Sequence, residues 1–136
     1  MFNKQIVIIT IITAILDAIF LYINRSFFDN QIMQVQGTSI KMDYFSALLC
    51  YIFLIYGLYY FIIKDNKSIK DAFLLGIIEY GVYELTTKSL LKNWNYKTVI
   101  IDILWGGILF SLTTYITYQI VGNNKYDFSA IHPASI

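Results

Sequence analysis

The sequence predicts an all-α, polytopic membrane protein, with four transmembrane helices in an antiparallel bundle. Four apolar segments, at 5–23, 44–63, 69–91 and 98–121, each hold about 20 residues. That length matches a hydrocarbon core about 30 Å thick at about 1.5 Å of rise per helical residue. The apolar fraction is 57% and the charged fraction 14%, against about 45–50% and about 25% in ordinary globular chains. No segment alternates with a period of two, and an open sheet would leave backbone groups unsatisfied in lipid. A soluble bundle would need charged outward faces, which these segments lack.

The 136 residues suffice for one domain, read as a transmembrane unit over 1–122 and a polar tail over 123–136. The first segment is interrupted only by Thr10, Thr13 and Asp17. Only Lys4 precedes it and no small-x-small cleavage site follows, so it reads as a span rather than a secretory signal. The connection 24–43 is polar but carries Phe27, Phe28, Ile32, Met33 and Val35, as expected of a stretch lying along the membrane surface. The second segment has no charge and ends in Tyr56, Tyr59, Tyr60 and Phe61, an aromatic belt at a headgroup boundary. Its lone Cys50 reads as a small buried filler. A polar turn over 64–68 leads into the third segment, and a basic, aromatic turn over 92–97 into the fourth. The tail holds the sole His132 and the sole Pro133, and is expected to be loosely held.

Threading the chain back and forth divides Lys and Arg five against five, so orientation is undecided and the identity of the membrane with it. Net charge is +1, which offers no field for nucleic acid. The expected partner is the lipid bilayer, with a homo-oligomer or larger membrane complex needed for any pore. Small residues spaced by four, Ala72 and Gly76, Gly107 and Ser111, Ser46 and Cys50, predict close helix crossings.

The third segment carries the run Glu79-Tyr80-Gly81-Val82-Tyr83-Glu84-Leu85-Thr86-Thr87. Such residues are costly in lipid and mark the interior of a bundle. Tyr80, Tyr83, Glu84 and Thr87 recur at i, i+3, i+4 and i+7 and so share one stripe. Counting from the side on which the chain starts, Asp17 lies roughly 17 Å deep, and Glu84 and Asp102 each roughly 22 Å. Trp105, one turn from Asp102, has an indole N–H that can donate to a carboxylate. Asp17, Tyr80, Tyr83, Glu84, Thr87, Asp102 and Trp105 therefore form the candidate binding site. The plainer expectation is that Glu84 pairs with Lys88 at i, i+4, and that Asp17 and Asp102 fix helix register.

No Cys/His spacing for a metal, no nucleophile elbow and no phosphate or dinucleotide loop is present, so no cofactor is expected. At Tyr83-Glu84-Leu85-Thr86-Thr87, then Trp94, then Asp102-Ile103-Leu104-Trp105-Gly106, the chain resembles the family of small predicted bacterial membrane proteins called domain of unknown function 2177. Leu16-Asp17, Gly57 and Gly76 fall where that family has its leucine-aspartate pair and glycines. Glu84 stands where the family has aspartate, and Thr87 where it has asparagine. The resemblance implies a four-helix membrane fold and no established activity. The leading expectation is a non-enzymatic site for a cation, a proton or a lipid polar group, tied to transport. An enzyme acting on a lipid or isoprenoid, and a scaffold or accessory subunit, are the competing readings.

Overall fold

A computed structural model describes residues 3–122, and the tail expected over 123–136 lies outside them. Five helices follow in order: α1 (Lys4–Ile23), α2 (Arg25–Gln36), α3 (Tyr44–Leu58), α4 (Ile69–Leu90) and α5 (Tyr96–Val121). α3 runs directly into a π-helical turn, Tyr59–Ile63. Side-chain caps start three of the helices, through Asn3 on the amide of Gln5, Asp43 on those of Phe45 and Ser46, and Ser68 on that of Asp71. α2 and α5 end on Gly37 and Gly122 in left-handed conformation, at φ 75° and 72°.

Three stretches, Lys4–Ile23, Tyr44–Ile63 and Tyr96–Val121, are long and apolar enough to cross a membrane. That differs from the four expected. At 22 residues α4 is long enough, but Lys70, Asp71, Glu79, Glu84 and Lys88 leave it short of the apolar character of the other three. The connection 24–43 is also more regular than expected, since α2 occupies twelve of its residues.

α5 lies at the centre of the packing, with α4 along one side and α1 along another, while α3 rests on α1. Glycines set the α4–α5 distance. A Cβ on Gly76 would collide with the carbonyl oxygen of Gly106 and lie 2.6 Å from its carbonyl carbon. Gly107 likewise admits the ring of Phe73, and Gly106 that of Tyr80. Gly76 and Gly107, each from one of the expected small-residue pairs, lie at this seam; Ser46 and Cys50 of the third pair are exposed. Cys50 is thus not the buried filler expected of it.

Ile9, Leu58, Ile62, Ile63, Ala72, Leu109, Phe110 and Tyr118 form the buried core. Tyr118 donates its hydroxyl to the carbonyl of Lys67 at 2.7 Å, which ties α5 to the turn before α4. Thr13, Thr113, Thr114 and Thr117 are buried, and the Thr13 hydroxyl lies 3.5 Å from that of Thr113 where α1 meets α5. The outward faces are apolar: Ile11, Ile15 and Ile19 on α1, Phe45, Leu48, Ile52 and Phe53 on α3, and Leu104 and Ile108 on α5 are all exposed. In water such a surface would drive aggregation; in a bilayer it is the solvated one.

α2 is fastened across the α4–α5 turn by one buried glutamine. The Gln31 amide nitrogen donates to the carbonyl of Asn93 at 2.8 Å. Its oxygen accepts from the Asn95 amide at 3.0 Å and the Thr98 hydroxyl at 2.6 Å. Gln34 accepts from the Asn93 and Asn95 side chains at 3.0 and 3.1 Å.

Candidate functional site

Four helices enclose a cavity of about 500 Å³. α1 contributes Asp17, Phe20 and Leu21 to its wall, and α5 contributes Asp102. α4 adds Glu79, Tyr80 and Tyr83, and α3 adds Ala47, Cys50, Tyr51 and Leu54. Met42, just ahead of α3, completes it. None of these residues is basic.

Helix ends give the depth of each group. Asp17 and Asp102 lie six residues inside the ends of their helices, and Tyr51 and Tyr83 seven. All four are thus about 9–10 Å below the helix ends on that face, at about 1.5 Å per residue. Glu79, eleven residues from the end of α4, is about 16 Å deep. Below it the packed core, with Leu58, Ile62, Leu109 and Phe110, fills the other half of the bundle.

Asp17 is held on both oxygens. The Trp105 indole N–H donates to Oδ1 at 2.9 Å, and the Tyr51 hydroxyl donates to Oδ2. Trp105 is itself fixed by stacking on Phe20, with ring centroids 4.4 Å apart and planes 6° from parallel. Phe20 and Asp17 are three residues apart on α1, so one face of that helix orients the indole and accepts its hydrogen bond.

Glu84 is 1% exposed and stands behind the wall rather than on it. The Trp94 indole N–H donates to its Oε2 at 2.6 Å, and its carboxyl is within hydrogen-bonding reach of Asp102. Lys88, the partner expected from spacing, instead holds its ammonium 4.8 Å from the ring centroid of Tyr96. Thr87 does not reach the cavity. Its hydroxyl donates to the carbonyl of Tyr83 one turn back, at 2.8 Å.

Of the seven residues singled out by sequence, Asp17, Tyr80, Tyr83 and Asp102 line one cavity. Trp105 and Glu84 contact it through Asp17 and Asp102. Three further contributors are not among the seven. Tyr51 is one of 12 tyrosines in the chain, in a run with no polar neighbour to flag it. Trp94 reads as an interfacial turn residue, yet it reaches back ten positions to Glu84. Glu79, in the same polar run as Glu84 but off its stripe, lines the deep end. A Cβ on Gly57 would lie 3.1 Å from Glu79 Oε1, so the glycine makes room for this carboxyl.

Among the described residues no group of three or more His, Cys, Asp or Glu is arranged to hold a metal ion. Asp17 accepts from two donors and keeps lone pairs to spare, while Glu84 is turned to Trp94. What remains facing the space is a wall of aromatic and aliphatic surface with carboxyl oxygens and phenol hydroxyls set into it. Such a wall suits a ligand with an apolar body and a donating or positive head.

No curated protein and no solved structure matches the chain. The model of a family described as predicted membrane protein (DUF2177) matches residues 2–119. With three helices able to cross a bilayer and a match over most of its length, the chain is an integral membrane protein that belongs to the DUF2177 family.

Proposed function

We propose that this protein is a four-span membrane protein that binds a small amphipathic molecule by a cationic or hydrogen-bond-donating head, without transforming it. The observation that carries this reading is one cavity bearing Asp17, Glu79 and Asp102 from three helices and no basic residue. A ligand with a positive head would meet acceptors that the protein leaves without a cation of its own. Charge-assisted hydrogen bonds of this kind contribute about 1.5–3 kcal/mol each, and more where water is excluded.

α4 supplies more of the polar wall than any other helix, so the reading requires it to cross the membrane. Its charges are compatible with that. Lys70, Asp71 and Lys88 sit near its ends, where long side chains reach the interface. Between them Glu84 is buried and Glu79 is half-buried, whereas Leu74, Ile78, Val82 and Leu85 face outward, each more than half exposed. Helices α4 and α5 meet at Glu84 with Asp102, Gly81 with Ile103, Gly76 with Gly106 and Phe73 with Gly107. One numbering falls as the other rises, which supports antiparallel crossing of the pair.

The test is equilibrium binding of dodecylamine to the full chain in lipid nanodiscs, followed by tryptophan fluorescence, since Trp105 reports on Asp17. Saturable binding is expected, weakened at least tenfold by Asp102→Asn. Equal affinity of wild type and Asp102→Asn would reject the reading.

A further inference from the structure

We infer that the cavity fills sideways from the bilayer, through a gap between α3 and α4, and that its occupant is a single-chain amphiphile with an amine head. This rests on the binding reading above and adds the route and the chain. Three observations carry it.

First, the two helices flanking the gap are held by other partners. α4 is locked along α5 and α3 rests on α1, with no comparable seam between α3 and α4 among the described residues. They approach at the deep end, where Gly57 accommodates Glu79. Second, the rim is apolar or amphipathic. Leu21, Met42 and Tyr83 line the cavity yet are 44, 55 and 59% exposed, and Cys50 lines it and is exposed. The exposed lining residues carry no charge, Glu79 in the gap being half-buried, and Cys50 and Tyr83 lie about 9–10 Å inside their helix ends. At that depth the gap faces acyl chains rather than water. Third, the α4–α5 side of the bundle end above the cavity is strapped. Gln31 and Gln34 fasten α2 across the α4–α5 turn through five hydrogen bonds.

Head and tail then sort themselves. The carboxyls of Asp17 and Asp102 lie on the inner wall, on α1 and α5, opposite the gap. An amine bound there leaves its chain pointing between α3 and α4 into lipid. A short, water-soluble amine would gain the same head contacts but lose the chain's burial, worth about 0.8 kcal/mol per methylene.

The experiment compares dodecylamine with propylamine on the full chain in lipid nanodiscs. Two variants accompany the wild type: Cys50→Trp, which narrows the gap, and Leu48→Trp, which adds the same bulk to the outward face of α3, where Leu48 is 58% exposed. The added indole shifts the baseline, so radiolabelled amine is used, with occupancy read by equilibrium dialysis and the rate of uptake by rapid filtration. The expected result is binding of dodecylamine at least 100-fold tighter than propylamine relative to their free aqueous concentrations after subtraction of empty nanodiscs. Cys50→Trp is expected to slow dodecylamine uptake at least tenfold while Leu48→Trp leaves it unchanged. Equal binding of both amines, or equal uptake by the two tryptophan variants, would overturn lateral filling and leave the binding reading standing. Absence of saturable binding by either amine would overturn both.

Discussion

The two flanks of α4 are built to opposite rules. Toward α5 it presents Ala72, Gly76 and the ring of Tyr80, and the helices close until backbone meets backbone at Gly76 and Gly106. Toward α3 it presents Glu79 and Tyr83, and the helices stand apart around a cavity. Without a hydrophobic force between helices in lipid, close packing has to come from small residues and hydrogen bonds. Where glycine is replaced by tyrosine and glutamate, the same helix opens a space. One helix is thus both the fixed wall of the bundle and the open wall of the candidate site.

Mutation can erase the contrast between these flanks at several points. The largest effect is expected at Gly76→Leu, because the obstacle is the α5 backbone and cannot rotate away. Overpacking typically costs about 1–3 kcal/mol, and with backbone as the obstacle the loss seen on unfolding in mixed micelles should exceed about 3 kcal/mol, with Gly81→Ala, where a Cβ meets only the Ile103 methyl at 3.9 Å, as the mild control. Next comes Val82→Arg, on the outward face of α4 and 64% exposed. If that face touches acyl chains, insertion should worsen by about 2.5–3.5 kcal/mol; a neutral outcome would remove α4 from the membrane. Trp94→Phe comes third. It strips the indole donor from a carboxyl that is 1% exposed, and about 1–3 kcal/mol of stability should follow, without a matching change if Lys88→Gln is made instead.

The smallest effect concerns the cap of α3. The Ser46 hydroxyl donates to Asp43 at 2.9 Å, and with the Ser46 and Phe45 amides holds its carboxyl below the ordinary value near 3.8. A depressed acid stabilises the fold above its unfolded value and loses that contribution as pH falls through the folded one. A slight loosening of α3 is therefore expected below about pH 4, absent in Asp43→Asn, and visible as faster amide exchange at Phe45 and Ser46.

Much of this architecture is legible in the amino-acid sequence, and what escapes it does so for physical reasons. Run lengths set by bilayer thickness place α1, α3 and α5 within a few residues. Residue counting alone also puts Asp17 and Asp102 at similar depth, because helical rise is constant. What counting cannot supply is rotation about the helix axis. α3 is apolar on every side, so nothing in its sequence turns Tyr51 toward Asp17 or leaves Cys50 on a rim. Local spacing misleads at Glu84, where Lys88 is the neighbour along the helix and Trp94, beyond the turn, is the neighbour in space. The connection 24–43 reads as a surface-lying stretch, but its anchor escapes notice because Gln31 is a polar residue in a polar stretch.

A binding site inside the bilayer requires that α4 cross the membrane. In a Cys50→Ser background, Asp65→Cys and Lys92→Cys place single thiols at exposed positions just before and just after that helix. A membrane-impermeant maleimide, applied to sealed proteoliposomes of uniform orientation, should label the two from opposite faces. Labelling of both from the same face would contradict a fourth span and, with it, a binding site at that depth.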